Sequence, residues 1–138
     1  MIRVLIADDH PFVRAGVAAL LTGAEDIELV GQCSDGAEVV QMADALNPDV
    51  IVMDVEMPVQ SGFEATRQLM ARRPAPRVIM LSVSVVTGGG PEIAARSGAV
   101  GYLLKGQPGR LLDAVRTVAA GGTAWPPDFV PGPGPDLS

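Results

Sequence analysis

The chain has 138 residues, 48% of them apolar, with a mean hydropathy of +0.31, which suits one domain with a sizeable core and excludes a largely disordered chain. Ten Lys and Arg against sixteen Asp and Glu give a net charge of −6 and a pI near 4.6, which argues against nucleic-acid binding by these residues alone. Cys33 is the only cysteine, so no internal disulfide can form and a reducing cytoplasm is the expected home; no apolar stretch is long enough to span a bilayer.

The amino-terminal apolar run, residues 2–7, is cut by charge at Asp8, too early for a signal peptide. It reads as a buried strand ending on Asp8 and Asp9. His10-Pro11 opens a helical pattern that puts Val13, Val17, Leu20 and Leu21 on one face, and Thr22-Gly23 closes it. Residues 27–33 form a second strand, and Ser34-Asp35-Gly36 is a turn. The spacing then predicts a helix over 37–46 with Val40, Ala43 and Leu46 inward, stopped by Asn47-Pro48.

Val50, Ile51, Val52 and Met53 are the residues a strand buried on both faces requires. That strand stops on a single carboxylate, Asp54, and Pro58 turns the chain away. A helix is expected over 61–73, carrying Phe63, Thr66, Leu69 and Met70 inward, with Ser61 and Glu64 spaced as a capping box. Residues 77–82 make a fourth strand ending on Ser82. Gly88-Gly89-Gly90-Pro91 is a poor helix start, so residues 84–95 are expected to be irregular or mobile, with one or two helical turns from Glu92 to Ser97. Residues 98–104 read as a fifth strand ending on Lys105. Pro108 opens a last helix through Leu111, Leu112, Val115 and Val118, closed by Gly121-Gly122. Five alternations of strand and helix predict an α/β fold, a parallel sheet wrapped on both faces. The Gly/Pro-rich end reads as a linker or tail, with Trp125 packing back on the domain.

In such a sheet the residues that end the strands gather at one edge, where ligands bind. Here they are Asp8, Asp9, Asp54, Ser82 and Lys105. Carboxylates that close repel one another unless a positive charge sits among them. Lys105 supplies one, and a hard divalent cation such as Mg²⁺ would supply more.

These residues carry a resemblance. Asp8-Asp9, Met53-Asp54-Val55-Glu56-Met57-Pro58, Ser82 and Gly101-Tyr102-Leu103-Leu104-Lys105 resemble, in order and spacing, the receiver domain of two-component response regulators over residues 2–122. The Ala7–Pro11 start, the Gly101–Lys105 segment and Ala119-Ala120-Gly121-Gly122 look most like the NarL/LuxR subfamily. The resemblance implies a flavodoxin-like (β/α)5 fold with strand order 2-1-3-4-5. It implies a receiver domain over 1–122 and a linker or tail over 123–138.

The roles it implies agree with the chemistry. Asp54 is the expected acceptor of a phosphoryl group from a sensor histidine kinase. Asp9 would hold Mg²⁺ directly, Asp8 through water, and Asp54 and the Glu56 backbone carbonyl would be further ligands. Lys105 would pair with a phosphoryl oxygen, Ser82 would donate to another, and Tyr102 would be the switch aromatic that follows Ser82. His10 reads as a helix-entry residue and Cys33 as a small buried hydrophobe.

Three departures from the family pattern stand out. Val59-Gln60-Ser61 replaces the usual Gly, variable residue and Asp; Val83 follows the switch hydroxyl where a small residue is common, restricting access; and the Gly-rich stretch puts the fourth helix in doubt. The expected output is transcriptional control through a DNA-binding helix-turn-helix domain absent from these residues, in the cytoplasm and without a membrane. Apart from labelling and slow release of phosphate at Asp54, no enzyme activity is expected. The oligomeric state stays open, a homodimer included. Two other readings compete: a stand-alone receiver acting by protein–protein interaction, and an Mg²⁺-dependent phosphatase with an Asp nucleophile. The phosphatase class usually carries a second Asp two residues on, where this chain has Glu56.

Overall fold

A computed structural model of the chain describes residues 1–83 and 90–132. Five strands, β1 (Ile2–Ala7), β2 (Ile27–Cys33), β3 (Val50–Asp54), β4 (Arg77–Ser82) and β5 (Gly101–Leu104), alternate with five helices, α1 (Pro11–Thr22), α2 (Gly36–Leu46), α3 (Gly62–Leu69), α4 (Gly90–Ser97) and α5 (Leu111–Ala119). A short 3-10 turn, Pro108–Arg110, precedes α5. All strand pairs are parallel and the order is β2-β1-β3-β4-β5, as expected for the flavodoxin-like fold.

Both sheet faces are covered. Val4, Ile6, Val50, Val52, Ile79 and Leu81 face α1 and α5, meeting Val17, Leu21, Val115 and Val118. Leu5, Ile51, Met53, Val78 and Met80 face the other way, onto Val39, Ala43, Ala65, Leu69 and Ala94 of α2, α3 and α4. This is why β3 is continuously apolar: successive side chains point to opposite faces and neither face meets water.

Several element boundaries differ from the sequence expectation. Helix α2 starts at Gly36, because the Asp35 side chain accepts from the amides of Ala37 (2.9 Å) and Glu38 (2.8 Å). That cap makes Gly36 the first helical residue, and Val39 becomes the fully buried member of the apolar face, with Val40 only partly buried. Helix α3 ends at Leu69, short of Arg73; its start is as expected, with Ser61 accepting from the Glu64 amide. Strand β5 begins at Gly101, not at residue 98: Gly98 adopts φ +107 and the Ala99 amide bonds back to the Ala94 carbonyl, so these residues close α4. Helix α4 is formed from Gly90, two residues before the expected start, so residues 90–95 are helical; the rest of the stretch expected to be irregular, 84–89, lies outside the described residues.

Beyond α5 the chain returns to the sheet. Ala124 bridges Gly101 in parallel, its amide bonding the Val100 carbonyl and its carbonyl accepting from Tyr102, both at 2.9 Å. Trp125 packs against the α2–α4 side of the core, as expected, with Phe129 at 5.2 Å between ring centroids.

The loop after β3 carries a strained residue. Val59 has φ +70, the left-handed region that a β-branched side chain rarely adopts, and it is 80% exposed. This is the position where glycine was expected from the family pattern. Little packing offsets the strain, so Val59→Gly is expected to stabilise the fold by about 1 kcal/mol, the left-handed penalty outweighing the added chain entropy of glycine. Urea unfolding would show it as a raised midpoint at constant slope; a lowered midpoint would mean that the valyl contacts outweigh the strain.

Candidate functional site

The sheet register brings the strand-ending residues together. Ala7 pairs with Met53, so Asp8 and Asp54 leave the sheet side by side; Leu81 pairs with Asp54, and Ser82 with Leu104, immediately before Lys105. Backbone bonds continue past the strand ends, Val55 N to Leu81 O (3.0 Å) and Lys105 N to Ser82 O (2.9 Å). The site is thus held by the sheet itself.

Asp8 and Asp54 are almost fully buried, with side chains 1% and 4% exposed, whereas Asp9 keeps a third of its side chain in water. Lys105 Nζ lies 3.1 Å from Asp8 Oδ2 and 3.1 Å from Asp54 Oδ2, and is itself buried. One ammonium against three carboxylates leaves the cluster negative. Burial, and then the Asp8 carboxylate, push the Asp54 carboxyl up to about 7 against the opposing pull of Lys105.

Asp8 Oδ2, Asp9 Oδ1 and Asp54 Oδ2 are buried and accept no hydrogen bond among the described residues, although Lys105 is within ion-pair range of the first and third. Three carboxylates that converge on a single ammonium keep excess negative charge and fit a hard cation, which takes oxygen ligands. Asp8, Asp9 and Asp54 therefore fit Mg²⁺. The Glu56 amide donates to Asp54 Oδ1 at 3.3 Å, which fixes that carboxylate, and the Glu56 side chain is exposed.

One member of the cluster was missed by sequence reasoning. His10 occupies the N-cap position of α1, as expected of a helix-entry residue, but its side chain makes no capping bond and its ring turns into the site. Nδ1 lies 3.3 Å from Asp8 Oδ1, 3.2 Å from Asp9 Oδ1 and 3.7 Å from Asp54 Oδ2, so Asp8, Asp9, His10 and Asp54 form one potential ligand set. The only available signal was adjacency: the sole histidine directly follows the acidic pair.

Ser82 is half-buried at the end of β4, and Val83 beside it is 81% exposed. Tyr102 is buried, its hydroxyl against Gly90 at the start of α4 so closely that a methyl group there would collide with it. Cys33 is buried as expected, and burial pushes its thiol up to about 12, leaving it unreactive.

Comparison with known proteins decides the family. The profile of the response regulator receiver domain matches residues 4–116. The chain belongs to that family. This receiver domain is similar to the transcriptional regulatory protein LiaR of Bacillus subtilis, 42% identical over 122 residues, covering 88% of this chain and 57% of LiaR. Among solved structures it resembles a LuxR-family two-component response regulator from Aurantimonas, with TM-score 0.84, 31% identity and coverage of 91% and 90% of the two chains. The signal receiver domain of NarL from Mycobacterium tuberculosis superposes with TM-score 0.82 at 30% identity, covering 87% of this chain and 97% of that one. The receiver spans a little over half the length of the curated relatives it matches. Among the described residues no helix is long and apolar enough to cross a membrane.

Proposed function

We propose that Asp54 accepts a phosphoryl group from a sensor histidine kinase and that the resulting change controls transcription through an output domain outside these residues. The single observation that carries this reading is the buried Asp54–Lys105–Asp8 cluster at the carboxyl edge of the sheet. In the transfer, an Asp54 carboxylate oxygen forms a bond to phosphorus as the bond from phosphorus to the donor imidazole nitrogen breaks. That nitrogen leaves with the electron pair and takes up a proton. The product is an acyl phosphate on Asp54.

Such a transfer is catalysed by positioning and charge neutralisation. Mg²⁺, when bound, would supply positive charge to the phosphoryl oxygens. Asp9 and Asp54 would hold it directly, Asp8 through water, and the Glu56 backbone carbonyl would be a further ligand. Lys105 passes from pairing with Asp54 to pairing with a phosphoryl oxygen. Ser82 donates to another, and buried Tyr102 is the aromatic that reads its movement. Phe12, 92% exposed, lies with Gly16 and Leu20 along a groove that reaches Lys105 and Gln107, on the path by which a donor protein meets Asp54. We take residues 1–122 as the receiver unit and 123–138 as its linker, which touches the sheet again at Ala124.

Mg²⁺-dependent labelling by acetyl phosphate tests the reading. One stable phosphoryl group on Asp54, seen by intact mass, is expected; rapid release of phosphate on repeated turnover would favour a phosphatase, and no label an interaction module. Asp9→Ala is expected to raise the Mg²⁺ concentration needed for half-maximal labelling by about tenfold or more, since it deletes a direct ligand. Unchanged Mg²⁺ dependence would place the metal elsewhere.

A further inference from the structure

We propose that His10 is a fourth protein donor to the divalent-cation site and strengthens that site's preference for borderline metals, Co²⁺ or Zn²⁺, over Mg²⁺. The inference rests on the reading of Asp8, Asp9 and Asp54 as a cation site. What it adds is a nitrogen ligand.

The geometry points to ligation. His10 Nδ1 is 3.2 to 3.7 Å from one oxygen of each of the three carboxylates. Donors bound to one ion at about 2.1 Å stand about 3 Å apart when adjacent in an octahedron, so these spacings need little adjustment. The same ring nitrogen is 3.2 Å from Lys105 Nζ. Nδ1 accepts from the Lys105 ammonium in the tautomer with its ring proton on Nε2, and donates to the carboxylates of Asp8 and Asp9 in the other. A cation entering among the carboxylates selects the first, the form in which histidine ligates metals. Lys105 Nζ also stands 3.1 Å from both Asp8 Oδ2 and Asp54 Oδ2, so nitrogen and oxygen donors already converge on one positive charge.

A second observation separates this cluster from an ordinary acidic patch. The Asp8 side chain is 99% buried, and its Oδ2 shares the single Lys105 ammonium, at 3.1 Å, with Asp54 while accepting no hydrogen bond among the described residues. Position is also favourable for the imidazole. The His10 amide donates to Asp8 Oδ1 at 2.8 Å, which ties the backbone of the ring to the carboxylate it faces, while the side chain keeps 59% exposure and can adjust. Imidazole nitrogen suits Zn²⁺ and Co²⁺ far better than Mg²⁺, which keeps oxygen ligands and water. Carboxylates alone give a weaker bias, so the nitrogen's share is what removing His10 would take away.

The test uses the whole 138-residue chain loaded with Mn²⁺. Electron spin-echo modulation from a directly bound ¹⁴N is expected in the wild type and absent in His10→Ala. Competition titrations are expected to show Co²⁺ affinity falling about tenfold or more in His10→Ala, with Mg²⁺ affinity changed by less than about threefold. Bound Mn²⁺ with no nitrogen coupling, or equal losses for Co²⁺ and Mg²⁺, overturns the role of His10 and leaves the acidic site standing. Absence of any divalent binding, with Asp9→Ala indistinguishable from wild type, overturns both.

Discussion

Asp54→Asn is expected to abolish labelling completely while making the metal-free fold more stable. The amide keeps the shape of the carboxylate and removes the attacking oxygen. It also removes a charge that burial and Asp8 disfavour. The sign follows from linkage. The folded carboxyl sits near 7, well above its unfolded value of 3.8, so between these limits the folded state holds a proton that the unfolded state has lost. Stability contributed by this group is therefore intact below about pH 4, declines as pH rises, and is lost above about pH 7. The gap between variant and wild type should open over that window and reach about 2 kcal/mol, since solvent at the mouth of the site screens part of the full linkage value. Added Mg²⁺ should reverse the order, because only the wild type keeps the full ligand set. Chemical denaturation at several pH values, with and without Mg²⁺, measures this directly. A gap that is flat from pH 4 to 8 would show that Asp54 ionises normally in the fold.

Gly62→Ala is expected to destabilise the fold by about 3 kcal/mol, although alanine is the better helix former by about 1 kcal/mol. Gly62 is the first residue of α3, and its amide bonds the Val55 carbonyl at 2.8 Å. An added methyl group would run into the backbone carbonyl of Asp54 and lie 2.8 Å from the end of the Met80 side chain. Met80 can give way; the carbonyl of a central strand cannot. The strain falls on the backbone of Asp54, the proposed phosphoryl acceptor, so labelling by acetyl phosphate should slow as well. Urea unfolding gives the first effect and initial labelling rates the second. A variant as stable as the wild type would show that α3 slides freely on β3.

Much of this was legible because the physics was local. The run Val50–Met53 could bury both faces only in a central parallel strand, and Asp54 had to emerge where it ends. What escaped depended on one residue steering its neighbours. Asp35 caps α2 and so sets which valine points inward, a matter of one position between Val39 and Val40 that periodicity alone does not resolve. Residues 98 and 99 continue the apolar run of β5, yet the left-handed Gly98 commits them to closing α4. His10 was read from its proline neighbour as a helix entry. It is one, and the same backbone position aims its ring at Asp9; only the folded geometry shows that the two roles are compatible.

The return of the chain at Ala124 has a mechanical meaning. A sheet that stops at a short strand offers unpaired amides and carbonyls to any passing strand, including one from another molecule. At the β5 edge the Val100 carbonyl and the Tyr102 amide are already satisfied by Ala124, and Trp125 with Phe129 follows directly in the chain. The bridge therefore shortens the stretch of β5 open to another strand, and a chain cut at residue 122 would return those two groups to the edge. It is also a direct coupling. The amide that Ala124 accepts from belongs to Tyr102, so a shift of that strand pulls on the chain leaving the domain without any intermediate part.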